Sequence, residues 1–297
     1  MFPSLIADPA PLVVLEFDET GVTGVRRRAR GGEVEAVAER TFEPGVLDPA
    51  PGRPNIRDIA AVDAAVASLL DELGPLRRNE AALVLPDESS RLTVLDFDTL
   101  PSNAEERMKL LRFRLAKAVP FDIESARLAA AVWPANGKVA AFVAVTAAEV
   151  VRQYEGVLER AGLWPGHVSV SAADALNLTP EGPMTLVAKL STRLLTLAAV
   201  AGDVVRMARS VERSAEAADD PEPALDDMLA DLYPTLVFVA DNLGAPVQRL
   251  ELAGFGDLLG PALDLFSREL GCAVEPLRSP AGPAGPREAG IWGYLSL

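Results

Sequence analysis

The chain has 297 residues, of which 49% are apolar, and its 28 Lys and Arg face 43 Asp and Glu, giving a formal charge of −15. This composition is typical of a soluble globular protein and excludes a disordered or fibrous one. The negative charge disfavours nucleic acid as the main partner, because an acidic surface repels phosphates. A length near 300 predicts two domains or two lobes, each with its own core.

The chain has one histidine, His167, and one cysteine, Cys272. We therefore expect no Ser-His-Asp or Cys-His arrangement and no metal site. His167 follows a Pro-Gly turn and is expected to be solvated. No apolar run reaches the roughly 18 residues that cross a bilayer, and the opening MFPSLIADPAP lacks the layout of a secretory signal. These features predict a cytoplasmic protein that meets a membrane only through a partner.

The first lobe is expected to open with a sheet and a crossover helix. Alternating apolar residues predict three strands at 12–17, 22–28 and 33–42. Apolar residues then recur at steps of three and four from Ile59 to Leu73, and Gly74-Pro75 is a typical helix end. The wholly apolar segment 81–86 predicts a buried central strand.

A small insertion is predicted at about 91–133. It contains a strand at 91–101 and a helix that begins at a Ser102–Glu105 capping box. Five cations lie on that helix, and either a solvated face or an acidic partner explains them: Arg107, Lys109, Arg112, Arg114 and Lys117. Strands at 126–133 and 138–146 flank Asn136-Gly137, a strong hairpin signal. A second capping box, Thr146 with Glu149, predicts the next helix.

The second lobe is expected to begin near Met184 and to repeat the opening strand triplet, at 185–190, 194–202 and 203–211. Further predicted elements are a loop at 214–224, helices at 224–242 and 257–271, strands at 248–254 and 273–277, and a mobile segment at 278–288. We therefore predict an α/β protein with a first lobe at 1–183 and a second lobe at 184–297.

Acidic pairs and glycine turns are the candidate chemical sites. We expect the pairs Asp96 with Asp98 and Asp87 with Glu88 to be solvated at the surface, because adjacency in sequence does not build a cleft. The turn at 18–21 carries carboxylates that repel phosphate unless a metal intervenes. The Gly254-Phe255-Gly256 segment is a weak phosphate-turn signal, and strand-to-helix packing explains it better.

Three segments are the most specific: the strand, capped helix and Pro-Phe corner (Val94 to Phe121), the helix followed by Ala-Gly-Leu (Glu149 to Leu163), and the terminal GIWGYLSL. In this order they resemble the PilM family of type IV pilus assembly proteins. This resemblance implies an actin-like (ribonuclease H-like) two-lobed fold with a small inserted α+β subdomain and a nucleotide cleft between the lobes.

This chain departs from the family at three parts of the nucleotide site. At the first phosphate turn the glycine and lysine of the family are replaced, since the aligned residues are Glu16, Phe17, Asp18, Glu19, Thr20 and Thr23. At the second turn Lys189 and Ser191 replace an Asp and a Gly, and at the adenosine motif Phe255 follows Gly254. Carboxylates near a triphosphate, loss of a metal-orienting acid and a phenyl ring in the base pocket all disfavour Mg-ATP. We expect no catalytic residue, no metal and no cofactor.

By resemblance, the chain is expected to be a non-catalytic scaffold of a type IV pilus or type II secretion system, peripheral to the inner membrane. Its expected partner is the cytoplasmic N-terminal tail of a PilN-like bitopic membrane protein, held in a groove near Phe113, Val119, Pro120 and Phe121, although core packing explains these four residues equally well. The rival hypothesis is an active actin-like ATPase or phosphotransferase in which Glu16 replaces the metal-orienting aspartate. A polymerising relative that binds membrane itself is disfavoured, because the C-terminus lacks a long basic amphipathic helix.

Overall fold

The computed structural model describes residues 11–29, 32–135, 137–213 and 221–297. The strands are β1 (Val13–Asp18), β2 (Gly21–Arg27), β3 (Val34–Thr41), β4 (Glu80–Leu85), β5 (Arg91–Phe97), β6 (Arg127–Ala135), β7 (Lys138–Thr146), β8 (Trp164–Val170), β9 (Thr185–Leu190), β10 (Leu194–Ala201), β11 (Val204–Glu212), β12 (Arg249–Ala253), β13 (Ala273–Pro276), β14 (Arg278–Ser279) and β15 (Gly282–Pro283). The α-helices are α1 (Ile59–Leu73), α2 (Ala104–Leu115), α3 (Ala148–Arg160), α4 (Ser171–Ala175), α5 (Pro221–Leu243), α6 (Leu259–Glu269) and α7 (Ala289–Leu295).

Two five-stranded sheets share one topology. The first has the order β3-β2-β1-β4-β8 and the second the order β11-β10-β9-β12-β13. In each sheet the opening three strands pair antiparallel and the last two strands add parallel. The predicted repetition of the strand triplet is therefore confirmed as a repetition of the whole sheet.

Helices cover these sheets where the apolar periodicity predicts it. The buried stripe of α1, with Val62, Val66 and Leu69, packs with Tyr154 of α3 in the first-lobe core. Gly74 ends α1 at a φ of +77°, as the Gly-Pro signal predicts. In the second lobe α5 and α6 bury their apolar residues against β9, β10 and β12.

The inserted subdomain is larger than predicted. Its sheet has the order β5-β7-β6, so the central strand β7 lies beyond the expected end at 133, and the unit runs from Arg91 to Thr146. Leu111 and Leu115 of α2 pack on Val143 of that sheet. The predicted hairpin forms, with Ala135 opposite Lys138, while Asn136 of its turn lies outside the described residues.

Both predicted capping boxes are wrong. Asn103, one residue after the expected Ser102, caps α2 by accepting hydrogen bonds from the amides of Glu105 and Glu106 at 2.9 and 3.1 Å. At α3 the N-cap residue is Ala147, which has no side chain able to cap, and the Thr146 hydroxyl is hydrogen-bonded to that of Ser90 at 2.5 Å.

The C-terminal helix α7 returns to the first lobe. Ile291 and Tyr294 of α7 are buried with Val14 and Val84 of the first sheet. Because these strands are apolar on both faces, the face away from α1 needs a cover, and α7 supplies it. The predicted assignment of all of 184–297 to the second lobe is therefore wrong for α7.

Three further expectations differ from the structure. His167 is half-buried with its ring 5.0 Å from that of Tyr294, so it is not simply solvated. The segment 278–288 forms the short β14–β15 ladder and buries Ala284, instead of being mobile. Helix α5 begins at Pro221, within the expected loop 214–224, whose residues 214–220 lie outside the described ranges. No helix in the described ranges is long and apolar enough to cross a membrane.

Candidate functional site

A cleft of about 340 Å³ opens where the two sheets face each other. The carboxyl ends of β1, β4 and β9 meet there, and the turn after β12 contributes Gly254. Ligand sites of α/β sheets form at such strand ends. The side chains that carry charge in this cleft are Glu16, Asp18, Asp87, Glu88, Lys189 and Arg287.

The carboxylate of Asp18 is hydrogen-bonded to the backbone amides of its own turn. Its Oδ1 accepts hydrogen bonds from the backbone N–H of Thr20 at 2.7 Å and of Gly21 at 2.9 Å, and from the Thr20 hydroxyl at 2.8 Å. Arg287 lies 3.4 Å from the same carboxylate oxygen. A phosphate-binding turn needs free amides. In this turn the carboxylate of Asp18 already satisfies them.

Lys189 and Asp87 form a buried ion pair between the lobes. The Lys189 ammonium lies 2.6 Å from Oδ2 of Asp87, and the two side chains are 6% and 1% exposed. Oδ1 of Asp87 accepts the amide of Ala172 at 2.6 Å. Burial by itself lowers the pKa of Lys189, but the negative charges of Asp87 and Glu16 outweigh it, and the net shift is upward.

Glu16 lies beside this pair at the centre of the first sheet. Its carboxylate accepts hydrogen bonds from the Ser171 hydroxyl and, at 2.8 Å, from the amide of Ile291 in α7. Burial raises the pKa of Glu16 to about 7, against the lowering effect of the Lys189 charge. Glu16 is therefore held by two donors of its own chain.

Glu88 makes a second contact between the lobes. One carboxylate oxygen accepts hydrogen bonds from the Ser191 hydroxyl at 2.7 Å and from the amide of Arg193 at 3.0 Å. Burial, followed by the charge of Asp87, raises the pKa of Glu88. The Arg193 guanidinium continues this contact to Asp48 and Glu19, each at 3.0 Å. Lys189, Ser191 and Arg193 of the second lobe thus bind four acidic side chains of the first lobe. These are Asp87, Glu88, Asp48 and Glu19.

The expected surface position of Asp87 and Glu88 is therefore wrong. The two side chains are buried, because the short 3-10 helix at Asp87–Ser89 carries them from the end of β4 into the interface. Asp96 and Asp98, by contrast, are exposed as predicted. One feature of the sequence could have indicated their burial: the two acids directly follow a wholly apolar strand, and ligand sites of α/β sheets lie at the carboxyl ends of such strands.

The phenyl ring of Phe255 does not fill the cleft. It is 4% exposed and packs edge-on against Phe266 in the second-lobe core, with ring centroids 6.4 Å apart. The expected clash with a base is therefore wrong. Gly256 does not line the cleft and lies near Pro286. Thr23 is buried on β2, where it pairs with Glu16 of β1.

Gly254 is required by close packing. Its φ is +75°, and a Cβ atom there would lie 2.1 Å from the carbonyl oxygen of Leu190. The close approach joins β12 to the end of β9, next to Lys189 and Ser191. Of the predicted nucleotide-site positions, the structure thus brings together Glu16, Asp18, Thr20, Lys189, Ser191 and Gly254 at the cleft.

The predicted groove residues have different environments. Phe121 reaches the first lobe, because a Cβ atom on Gly52 would lie 2.9 Å from its ring. Val119 is partly buried on the core of the inserted subdomain, whereas Pro120 is exposed and Phe113 is 77% exposed. Core packing therefore explains Val119 but not Phe113.

A second concave site lies on the first lobe, between α3 and the start of α1 with the loop that precedes it. It has a volume of about 260 Å³ and is lined by Ile56, Ile59, Glu149, Arg152, Gln153 and Arg160. The side chain of Gln153 fixes the loop by accepting the amide of Asn55 at 2.6 Å. Ile59 is 50% exposed at its mouth. Apolar and charged groups of both signs are available there to an extended peptide.

No protein-family model matches the chain, and no curated protein matches it. Among solved structures, it is similar to a PilM-PilN type IV pilus biogenesis complex, with a TM-score of 0.80 and 20% identity over 97% of this chain and 98% of that chain. It is also similar to a protein of unknown function with an actin-like ATPase fold from Bacteroides thetaiotaomicron (TM-score 0.57, 10% identity, 96% and 95% covered). A third similar structure is the ethanolamine utilization protein EutJ from Carboxydothermus hydrogenoformans (TM-score 0.54, 13% identity, 99% and 92% covered). The chain therefore has the two-lobed actin-like fold that was predicted.

Proposed function

We propose that this chain is a non-catalytic cytoplasmic scaffold of the inner-membrane assembly platform of a type IV pilus or type II secretion system. In this role it binds the short cytoplasmic N-terminal tail of a PilN-like bitopic membrane protein. Contact with the membrane is then indirect, through that partner.

The observation that carries the assembly role is the similarity to the PilM-PilN complex. It extends over nearly the whole length of both chains, at a TM-score well above that of the other two structures described. The inserted subdomain and both lobes therefore have counterparts in a protein that is recorded together with PilN. This supports a shared partner class.

The contacts in the cleft support a scaffold without ATPase activity. Asp18 accepts the turn amides and the Lys189 ammonium lies against Asp87, so these groups are already bonded within the chain and are not free for a phosphate or a metal ion. Glu16 and Glu88 add buried carboxylates that would repel a triphosphate. The residues present do not fit Mg-ATP, and we derive no reaction from it.

We assign the partner tail to the Ile56–Arg160 pocket and to the neighbouring contact of Phe121 with Gly52. The pocket lies on the first lobe between α1 and α3, and Gly52, which contacts Phe121 of the inserted subdomain, belongs to the loop that leads to Ile56. An extended peptide can bury apolar side chains near Ile56 and Ile59. Glu149 and Arg152 can bind charged groups of the peptide through ion pairs.

The test is calorimetric titration of the purified chain with peptides of the PilN-like tails encoded beside it. Saturable binding is expected, with Ile59→Asp weakening it by roughly tenfold or more, as loss of an apolar anchor does. Val37→Asp is the matched control, because Val37 is 51% exposed against 50% for Ile59 and lies on β3. Failure of every tail to bind would contradict the proposal. An equal loss of tail affinity in Ile59→Asp and Val37→Asp would also contradict it.

A further inference from the structure

Helix α5 presents an unusual exposed stripe. Residues Asp226, Ala230, Tyr233, Val237 and Asp241, which we call the α5 stripe, are spaced three or four apart and are all exposed. Such spacing places them on one face of a helix. The opposite face, with Met228, Leu232 and Val239, is buried in the second-lobe core. The stripe therefore has an apolar centre and an acid at each end.

The apolar centre is substantial for a surface helix. Tyr233, Val237 and the adjacent Phe238 are 44%, 59% and 46% exposed. Contiguous apolar surface of this kind, bordered by charge, is typical of an interaction site. No Lys or Arg occurs in the sequence between Arg213 and Arg249. The charge of α5 itself is therefore wholly negative.

Nearby cations have other partners. Arg213 lies close to Asp227 and Asp231, and Arg268 of α6 pairs with Glu269 at 2.9 Å. The two end residues of the stripe, Asp226 and Asp241, have no ion pair within the described residues. A partner of this face needs an apolar anchor flanked by positive charge.

Helix α2 carries that pattern. Phe113 is 77% exposed, more than any other large apolar side chain in the described ranges. Lys109 precedes it by four residues and Lys117 follows by four, just after the helix end; we call these three residues the α2 stripe. Lys109 pairs only with the exposed Glu105, and such a surface pair contributes little. Lys117 makes no ion pair with any described carboxylate.

The other cations of α2 serve the inserted subdomain. Arg112 donates to the carbonyl oxygens of Ile123 and Ala126, and the Arg114 guanidinium lies 5.1 Å from the centroid of the Phe97 ring. The two lysines of the α2 stripe thus remain for an external partner, on either side of an exposed phenyl ring.

We propose that the α2 stripe of one copy of this chain docks on the α5 stripe of a second copy. Phe113 enters the apolar centre near Tyr233 and Val237, and the lysines approach Asp226 and Asp241. Pairing of α5 with α5 would oppose acids to acids, so charge selects the unlike pair. A contact between two different surfaces of one chain leaves each end free and builds open rows or rings.

This inference is independent of the proposed function, because α2 and α5 contribute nothing to the lining of the Ile56–Arg160 pocket. It also moves Phe113 from the predicted tail groove to a contact between copies. Tail binding and self-association can therefore succeed or fail separately.

The first experiment is sedimentation velocity of the full chain over a concentration series at low and high salt. We expect assembly that grows with concentration and weakens with salt, because exposed charges are screened. Phe113→Asp, Lys109→Glu with Lys117→Glu, and Asp226→Lys with Asp241→Lys should each weaken self-association by roughly tenfold or more. A wild-type chain that stays monomeric at all concentrations would overturn the proposal.

The decisive experiment mixes the two charge-reversal variants. The acidic α2 of the first variant then matches the basic α5 of the second, and the unchanged α2 of the second matches the unchanged α5 of the first, so only contacts between unlike variants pair opposite charges. We expect each variant alone to self-associate far more weakly than wild type, and the mixture to recover assembly that grows with concentration. Lys138→Glu, at an exposed position of the insertion hairpin, is the control and should assemble like wild type. A monomeric mixture of correctly folded variants, checked by circular dichroism, would contradict the assigned surfaces.

Discussion

The Nζ atom of Lys189 lies 2.6 Å from Oδ2 of Asp87, and 102 residues of sequence separate the two. Asp87 lies directly after β4 of the first sheet, and Lys189 lies on β9, the central strand of the second sheet. Both side chains are buried. The pair therefore joins the two halves of a duplicated fold at the cleft between them.

Removal of the lysine should be costly. Lys189→Met leaves Asp87 as a buried, unpaired charge, and loss of one partner of a buried pair destabilises by about 3–5 kcal/mol. Chemical denaturation should show this loss in the free energy of unfolding. The double variant Lys189→Met with Asp87→Asn should recover much of it, because the unpaired charge is gone. Equal stability of the single variant and wild type would contradict the role of the pair.

Because Glu16 is buried with a raised pKa, we expect the free energy of unfolding to fall as pH rises. Its pKa is about 7 in the folded protein against 4.5 in the unfolded reference, so between these values the folded state binds more protons than the unfolded state. The free energy of unfolding therefore decreases as pH rises from about 4.5 to about 7, by about 3 kcal/mol for this group.

The variant Glu16→Gln should lose that contribution to the pH dependence. We expect its free energy of unfolding to resemble wild type at pH 5 and to exceed it at pH 8, measured by denaturation at each pH. Glu124→Gln, at an exposed position, should follow the wild-type profile. If Glu16→Gln kept the full wild-type slope, the assignment of this pH dependence to Glu16 would be wrong.

Two glycines with the same backbone conformation should respond differently to alanine. Gly254 and Gly74 have φ values of +75° and +77°, but only Gly254 has a carbonyl oxygen 2.1 Å from the position of an added Cβ. Gly74→Ala should cost about 1 kcal/mol from the left-handed conformation alone. Gly254→Ala should cost several times more, because β9 and β12 must separate. Thermal denaturation of both variants provides the comparison.

The turn at Asp18 offers a second test of whether the cleft can bind nucleotide. Asp18→Ala frees the amides of Thr20 and Gly21 and should lower the free energy of unfolding by about 1 kcal/mol. We expect no gain of ATP binding, since Glu16, Glu88 and Lys189 remain. Calorimetry with Mg-ATP measures this directly, and strong binding by the variant would show that Asp18 alone closes the site.

Sequence periodicity predicted the sheets and the core helices because burial imposes a local pattern on each element. The alternation of β1 to β3 and the three- and four-residue steps of α1 are examples. It could not predict that Asp87 and Glu88 turn inward, since their partners Lys189, Ser191 and Arg193 lie about a hundred residues away. Phe255 shows the same limit. Its neighbours in sequence do not indicate whether its ring points into the cleft or into the core, and its contact with Phe266 in the folded lobe decides this.

Helix caps show a similar limit. Ser102 and Thr146 each stand three residues before a glutamate, but the backbone enters α2 one residue later and Thr146 is held by Ser90. A capping motif states which residue is able to cap, and the path of the chain decides which one does.

The most direct test of whether the cleft binds nucleotide is a thermal-shift titration of the wild-type chain with ATP and ADP, with and without magnesium, checked by calorimetry. A ligand that binds only the folded state stabilises it by about 2.7 kcal/mol at a hundredfold excess over its dissociation constant. We predict no shift at millimolar nucleotide, because Asp18 already accepts the amides of its turn and Lys189 is already paired with Asp87. A saturable, magnesium-dependent shift would contradict this account and favour an active ATPase.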